Sequence, residues 1–418
     1  MTLKPGDINL ASHADMSRHG SPVYQYFEML RREAPVWWNP PPSPQNPRYR
    51  CPGFWVLSKY DDVAMASKDP VRFSAWENSV LWTNPKDNPD ALNAQRAGLM
   101  GMDPPQHTQY RRLVQPGLTP RKIASLEPFI REQAQDVVAE MAARDEVEFV
   151  FEVAAELPMI LLCQLMGVPQ EKREAYLRLG NDVANFEFNE QFEQTMIDLY
   201  LFLDEVVQSR GGLQDDTMLS KYLHGEVDGR QLTRDEITQF FLTLSIAGHE
   251  TTRNTTAHFV RLMDEHPDQR ELLLEDLDGR LPNAIEEVLR HSPPVMQFCR
   301  TATCDIELRG TTIAKDDKVY LSYISANRDE EVFEDPNRFD ILRPNADAHL
   351  AFGTGPHFCL GASLARTQLR CVLGELYRQL PDIELAGPPT PLNSVWFNGI
   401  TAMPARPGRA AVTRTRGC

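Results

Sequence analysis

The most informative stretch of the chain reads Phe352-Gly353-Thr354-Gly355-Pro356-His357-Phe358-Cys359-Leu360-Gly361. Its glycines and proline indicate a tight turn, and a helix is predicted directly after it, over residues 360–380. Cys359 would then lie at a helix N-terminus, where backbone N–H groups lower a thiol's pKa and stabilise the thiolate. Such a thiolate can bind a metal ion, and the glycines would let a flat cofactor approach the backbone. The alternative is a buried structural cysteine beside a glycine-rich turn.

A second unusual segment lies in the longest helical pattern, residues 233–266. Thr233 followed by acidic residues is typical of a helix start, and Pro267 would end a helix about 50 Å long. Its middle reads Ala247-Gly248-His249-Glu250-Thr251-Thr252. Glycine inside a helix costs about 1 kcal/mol relative to alanine, which suggests a close approach there. Thr251 could donate a hydrogen bond to the carbonyl four residues earlier and open the helix locally. A tolerated glycine in a packed helix is the alternative.

A third motif, Glu287-Val288-Leu289-Arg290, lies in a helix predicted over residues 282–291. Residues three apart share one helix face, so the carboxylate and the guanidinium can pair and then reach a third partner. On its own this pattern is weak, because many helix surfaces contain it. Its place about 70 residues before Cys359 makes it informative.

Together the three motifs resemble those of the cytochrome P-450 family: F-x-x-G-x-x-x-C-x-G, A-G-x-[DE]-T and E-x-x-R. The resemblance runs from about residue 22 to the C-terminus and implies a mainly α fold with small peripheral β-sheets and a long central helix over a buried haem b. It implies a monooxygenase in which Cys359 is the axial ligand of the haem iron, Glu250 belongs to a proton relay and Thr251 bonds to dioxygen. It also implies a structural brace formed by Glu287, Arg290 and Arg338.

The resemblance further implies which residues contact the haem. Positive groups at the propionates would be His107, Arg111, Arg300 and His357, and the other contacts would be Phe352, Gly353, Gly361, Ala247 and Gly248. His249 departs from the apolar or amide residue often found at that motif position. It could face the substrate, relay a proton or simply pack.

The composition argues against several classes of binding partner and structural site. The 418 residues include 59 acidic and 43 basic side chains, for a net charge of −16, which argues against a broad electrostatic grip on nucleic acid or anionic lipid. Seven scattered cysteines without a C-x-x-C pair argue against a disulfide framework or zinc site and fit a reducing cytoplasm. We expect no signal peptide, because residues 1–16 lack a basic segment followed by an apolar one, and no membrane anchor, because the apolar runs fall short of roughly 18 residues.

The chain shows no linker and no regular strand–helix alternation, so a single domain over residues 1–418 is predicted. It would comprise an N-terminal part with strands (about 1–102), a helical haem-binding core (about 103–381) and a C-terminal strand region (about 382–418). A monomer is expected.

Electrons for oxygen activation would come from a separate protein. Gly353 and Gly355 imitate the start of a dinucleotide motif, but Phe358 follows where it needs glycine, so no nicotinamide or flavin site is predicted. The resemblance implies a ferredoxin-type donor with its reductase. A local basic face for it would contain Arg112, Arg366 and Arg370.

The substrate pocket is expected to be mostly apolar, with lining residues that include Trp82, Met100, Phe186, Val295, Met296 and Phe397. A bulky apolar small molecule would suit it. Residues 103–112 and 247–254 resemble actinobacterial members that act on sterols, terpenoids and branched lipids. Three alternatives stay open: tailoring of a polyketide or other secondary metabolite, a peroxide-driven peroxygenase, which the Glu250–Thr251 pair argues against, and a non-catalytic haem-binding protein.

Overall fold

Helices dominate the chain. The structure, a computed structural model, describes residues 3–16, 21–41, 53–79, 89–184, 190–210, 215 and 217–408. Its α-helices are α1 (His13–Met16), α2 (Ser21–Glu33), α3 (Tyr60–Lys68), α4 (Pro89–Ala97), α5 (Gln106–Val114), α6 (Pro120–Ala142), α7 (Glu156–Met166), α8 (Arg173–Ala184), α9 (Glu190–Arg210), α10 (Met218–Leu223), α11 (Arg234–Glu265), α12 (Pro267–Glu275), α13 (Leu277–His291), α14 (Tyr323–Ala326) and α15 (Ala362–Gln379). Short 3₁₀ turns occur at Leu99–Gly101, Gln115–Leu118, Gln170–Lys172, Ala346–Ala348 and Gly355–His357, and a π-helical turn at Val150–Ala154.

The long helix α11 has the predicted start and end. The Thr233 hydroxyl accepts from the N–H of Glu236 at 3.2 Å, and the Glu236 carboxylate accepts from the N–H of Thr233 at 2.8 Å. These two bonds form a capping box, which satisfies backbone donors that the first helical turn leaves free. At the other end α12 begins at Pro267, so one proline ends the first helix and begins the second.

Other helix boundaries differ from the prediction. Helix α13 starts at Leu277 instead of residue 282, because the Asp276 carboxylate caps it by accepting from the N–H of Gly279 at 3.2 Å. The last helix starts at Ala362, two residues later than predicted, which leaves Cys359 in the turn before it. The sequence patterns predict none of the helices α1, α2, α3, α4, α10, α12 and α14.

The strands form small sheets beside the helices. They are β1 (Val36–Asn39), β2 (Phe54–Leu57), β3 (Phe73–Ser74), β4 (Val147–Glu148), β5 (Glu226–Val227), β6 (Arg230–Gln231), β7 (Gln297–Ala302), β8 (Ile306–Leu308), β9 (Thr311–Ile313), β10 (Lys318–Ser322), β11 (Glu384–Leu385), β12 (Thr390–Pro391), β13 (Ile400–Ala402) and β14 (Pro404–Arg406). The largest sheet has the order β1-β2-β10-β7-β3, in which only β2 and β10 run parallel. The mainly helical architecture with small sheets is therefore confirmed.

The largest hydrophobic core joins helices from the whole middle of the chain. Leu162 of α7, Phe259 of α11, Val288 of α13 and Leu373 of α15 are all almost fully buried in it. This packing fixes α11 relative to α15 and therefore fixes the distance between the central helix and the turn that carries Cys359. Within the described residues, none of the helices combines the length and the apolar character that crossing a bilayer requires.

Candidate active site

A cavity of about 240 Å³ lies between the middle of α11 and the cysteine loop, which we define as residues 352–361. Two of the three sequence motifs meet there. The α11 side contributes Ala247, Gly248, Thr251 and Thr252, and the loop side contributes Phe352, Gly353, His357, Cys359, Leu360 and Gly361. The third motif, on α13, does not reach the cavity.

The cysteine loop is closed by its own backbone. The N–H of Cys359 donates to the carbonyl of Phe352 at 2.8 Å. Gly353 and Gly355 have φ angles of 66° and 73°, in the left-handed region that favours glycine. A Cβ at Gly355 would lie 2.5 Å from the carbonyl oxygen of Ser67, so only glycine lets the loop pack this closely on the end of α3. The loop is thus held in one conformation, with Cys359 at the cavity wall.

The Cys359 thiol is subject to two opposing effects on its pKa. Burial raises its pKa, and the N–H of Gly361 and the charges of Arg111 and Arg366 lower it only in part. The backbone N–H groups of Gly361 and Ala362 lower the pKa as the sequence predicts, but in the protein alone desolvation outweighs them.

Four basic side chains converge at one side of the cavity: His107, Arg111, Arg300 and His357. The two imidazole rings lie 4.3 Å apart, and the buried Nε2 of His357 has no hydrogen-bond partner among the described residues. Burial, together with the neighbouring positive charges, lowers the pKa of His107 to about 4 and that of His357 to about 2. In the protein alone both imidazoles are therefore neutral, and Arg111 and Arg300 supply the positive charge of the cluster. Among the described residues that line the cavity none is acidic, so this cluster fits a ligand with carboxylate groups.

On the opposite wall, Thr251 lies at the cavity and Glu250 does not. The Thr251 hydroxyl donates to the carbonyl of Ala247 at 2.7 Å, as the sequence predicts, although α11 stays continuous there. Glu250 is only 2% exposed, and its Oε1 accepts from Arg253 at 2.6 Å and from Asn254 at 2.7 Å. Burial raises the pKa of Glu250, and these two neighbours act against that rise. Glu250, the predicted proton-relay acid, is therefore buried inside the protein and precedes the cavity-lining Thr251 in the sequence.

Proteins of known family are similar to this chain along most of its length. A model of the cytochrome P-450 family matches residues 179–381. The methyl-branched lipid omega-hydroxylase of Mycobacterium tuberculosis is 37% identical over 396 residues, which cover 90% of this chain and 89% of that protein. The steroid C26-monooxygenase of Rhodococcus jostii is 37% identical over 382 residues, covering 90% of this chain and 80% of that one. The chain belongs to the cytochrome P-450 family. It is a cytochrome P-450 monooxygenase.

A solved P-450 structure agrees with the fold along nearly the whole chain. The Mycobacterium marinum cytochrome P-450 in complex with pseudoionone has a TM-score of 0.87 and 33% identity, and the match covers 97% of this chain and 100% of that one. The P-450 of Bacillus megaterium in complex with testosterone has a TM-score of 0.78 and 27% identity, with 93% of this chain covered.

The residues present fit the haem that the P-450 family uses. Haem carries an iron that accepts a thiolate ligand and two propionates that carry negative charge. Cys359 would bind the iron, and the four basic side chains would hold the propionates, since none of the described cavity-lining residues is acidic. Ala247, Gly248, Phe352, Gly353 and Gly361 also line the cavity and would contact the haem.

Gly248 lies between the haem site of this P-450 and a neighbouring helix, whereas His249 packs against a helix away from that site. A Cβ at Gly248 would lie 3.0 Å from a methyl group of Leu162, so helix α7 is the close neighbour that the glycine admits. His249 is 2% exposed, does not line the cavity and lies against Gly180 of α8. Burial and the charge of Arg253 lower the pKa of His249 to about 3, so its ring is neutral.

The brace of this P-450 has a different third member from the one predicted. Glu287 accepts two hydrogen bonds from Arg290, at 2.6 and 2.8 Å, and a third from Nε of Arg343 at 3.2 Å. The prediction of Arg338 as this partner is wrong. Its side chain is 63% exposed and lies 3.8 Å from Asp340, and only its carbonyl joins the cluster by accepting from both arginines. The chain turns between the two positions, so Arg343 points inward and Arg338 outward.

The predicted pocket residues divide into three groups. Val295 and Met100 line the cavity. Met296 instead belongs to a core cluster near the N-terminus, and Phe397 pairs with Val295 behind the cavity wall. Trp82 and Phe186 lie outside the described residues. Sequence reasoning missed five apolar lining residues of α7 and α11, because their helical spacing is the same as that of core residues: Leu161, Leu162, Leu165, Phe240 and Leu244.

The three arginines predicted to form a basic face differ in their surroundings. Arg112 and Arg370 are exposed, and Arg370 lies 3.9 Å from Glu127. Arg366 is partly buried and donates two hydrogen bonds to Glu286, both at 2.7 Å. Its positive charge is therefore already paired with a carboxylate of the same protein.

Proposed function

We propose that this P-450 hydroxylates a bulky apolar molecule with a branched aliphatic part: a steroid, a terpenoid or a methyl-branched lipid. The observation that carries the proposal is the mainly apolar lining of the cavity outside the basic cluster, where the polar side chains among the described residues are Thr243, Thr251, Thr252, Tyr323 and Gln368. The apolar members include Leu99, Leu118, Pro158, Leu161, Leu162, Leu165, Phe240, Leu244, Val295 and Phe298. A polar substrate would lose its hydrogen bonds to water here without replacement, which costs several kcal/mol, about 2–7 per group. The lipid and steroid activities of the relatives support the same class.

The residues of the chain would serve the reaction in distinct ways. Bound haem supplies the activation of dioxygen, and a thiolate ligand favours cleavage of the O–O bond. Thr251 would hold a proton at its hydroxyl beside the reacting oxygen, since it lines the cavity. Glu250 would resupply that proton from the protein interior when its carboxylate leaves Arg253 and Asn254. The apolar wall would exclude water and position the substrate.

We further propose that the electrons come from a ferredoxin-type protein and its reductase in the cytoplasm, with haem b as the only redox cofactor of this chain. Arg112 and Arg370 are both exposed and would contact an acidic donor. In a protein of net charge −16, such a local patch would orient the donor through complementary charge.

Substrate-induced change of the haem spin state tests the substrate class. The purified holoenzyme is titrated with a steroid that has an aliphatic side chain, a methyl-branched fatty acid, the straight-chain acid of equal carbon number and a macrolide. We expect the first two to shift the spin state most strongly and to yield singly hydroxylated products with ferredoxin and reductase. A shift with the macrolide alone would contradict the proposal in favour of secondary-metabolite tailoring. Faster turnover with peroxide than with the reductase system would indicate a peroxygenase.

A further inference from the structure

Arg366 lies against the back of the cysteine loop. Its guanidinium carbon is 4.5 Å from the centroid of the Phe352 ring, a distance at which a cation is attracted to an aromatic face. Phe352 is the residue whose carbonyl accepts from the N–H of Cys359, and its side chain lines the cavity. A single ring therefore separates this positive charge from the cavity.

The same guanidinium is fixed from the other side by Glu286. Both carboxylate oxygens accept from Arg366 at 2.7 Å, in the two-point geometry that restrains an arginine most strongly. His349 adds a third bond, from its Nε2 to Glu286 at 3.1 Å, while its Nδ1 accepts from the N–H of Ala351 at 3.1 Å. The backbone bond thereby assigns the donor role to Nε2.

Both charges of this pair persist across the working pH range. Burial would raise the pKa of Glu286, but the hydrogen bonds from Arg366 and His349 outweigh it and lower the pKa to about 2. The bonds to Glu286 raise the pKa of Arg366, and the nearby charge of a Cys359 thiolate adds to the rise. The two side chains are only 33% and 13% exposed, so salt screens them less than charges on the surface.

Arg366 differs in its environment from Arg370, which lies one helical turn later. Arg370, also on α15, has a side chain that is 45% exposed and lies 3.9 Å from Glu127. An approaching protein can reach Arg370 freely, whereas Arg366 would first have to break two short hydrogen bonds. The charge of Arg366 therefore lies next to the cysteine loop and is not presented to a docking protein.

We propose that Arg366 and Glu286 are positioning residues that set the reduction potential of the haem, with Arg366 raising it and Glu286 lowering it. The proposal rests on the haem-thiolate function proposed above. Reduction adds an electron at the iron, so a fixed positive charge nearby favours the reduced state and a fixed negative charge opposes it. The Phe352 ring holds the guanidinium at a constant distance from the cysteine loop, and His349 orients Glu286.

Redox titration of the substrate-free holoenzyme, followed by absorbance, tests this assignment. Arg366→Gln is expected to move the midpoint potential to a more negative value, and Glu286→Gln to a more positive value. The matched control Arg370→Gln should leave it nearly unchanged. Arg366→Lys keeps the charge and should retain most of the wild-type potential. Should Glu286→Gln fail to fold, Glu286→Asp, which keeps the negative charge, should stay close to the wild-type potential while Arg366→Gln moves to a more negative value.

Opposite signs for the two neutral variants would support the proposal, because general damage to the loop would move both potentials in one direction. Equal signs, or a shift in Arg366→Gln no larger than in Arg370→Gln, would overturn it. Weaker binding of the electron donor to Arg366→Gln at an unchanged potential would overturn it too, and would return Arg366 to the docking face. The carbon monoxide spectrum of the reduced wild-type protein separately tests thiolate ligation, so failure of the proposed function is recognised independently.

Discussion

The two walls of the cavity are stabilised in different ways. On the α11 wall the important bonds are local: Thr251 donates to Ala247, and Glu250 accepts from residues three and four positions later. On the cysteine side the partners are remote in sequence. Arg366 binds a carboxylate 80 residues away, and Arg343 binds one 56 residues away.

This difference indicates that the two walls have different roles, one in the chemistry and one in stability. An α-helix alone brings the α11 residues together, so changes there should alter the chemistry and leave the fold largely intact. The cysteine side is assembled only when the whole protein folds, so changes there should lower stability or disturb the haem itself.

The largest effect is expected at Cys359. Cys359→Ala removes the thiol that would bind the iron, and we expect turnover to be lost together with the thiolate type of carbon monoxide spectrum in the reduced protein. Cys371→Ala is the matched control, because Cys371 is buried in α15 and does not line the cavity. A thiolate spectrum that survives in Cys359→Ala would assign the iron ligand to another residue.

The next effect concerns the brace. Arg343→Met leaves the buried Glu287 carboxylate with one cation fewer, and loss of a buried partner typically costs about 3–5 kcal/mol. Arg338→Met should stay within about 0.5 kcal/mol of wild type, because its side chain is 63% exposed. Denaturant unfolding of the two variants measures the contrast. Equal destabilisation would mean that Arg338 contributes to the cluster through its side chain.

The same contrast explains what could be predicted from the sequence. The capping box of α11 and the Thr251–Ala247 bond depend on neighbours within four residues, and both were predicted. The partners Arg343 for Glu287 and Glu286 for Arg366 depend on how the chain returns to α13, which no local pattern encodes. The cavity wall on α7 was missed for a related reason, because an apolar helix face has the same spacing whether it lines a cavity or packs in a core.

Glu286 should make the stability of the cysteine side dependent on pH. Its pKa falls from 4.5 to about 2 on folding, so the charged form stabilises the fold above pH 4.5 and the contribution is lost as pH falls toward 2. At about 1.4 kcal/mol per pKa unit, this contribution is roughly 3 kcal/mol at neutral pH and about half of that near pH 3. The stability difference between wild type and Glu286→Gln should therefore shrink on acidification. A difference that is constant from pH 6.5 to pH 3 would contradict this.

The smallest effect is expected on the α11 wall, and it should concern chemistry only. Thr251→Ala removes the hydroxyl that lines the cavity, and we expect the product formed per electron pair to fall about tenfold or more, with the difference released as peroxide or water. The unfolding free energy should change little, because the bond to Ala247 is local to the helix. Parallel measurement of NADH consumption, product and peroxide gives the coupling.

Thr255→Ala is the control that isolates the position of the hydroxyl. Thr255 lies one turn further along α11 and donates to the carbonyl of Thr251 at 2.8 Å, but it does not line the cavity. A general effect of removing a threonine from this helix would appear in both variants, whereas proton supply at the reacting oxygen requires only Thr251. Equal coupling in both variants would remove Thr251 from the mechanism. Reduced coupling in Thr251→Ala alone, at unchanged stability, would show that this wall acts on the chemistry and not on the fold.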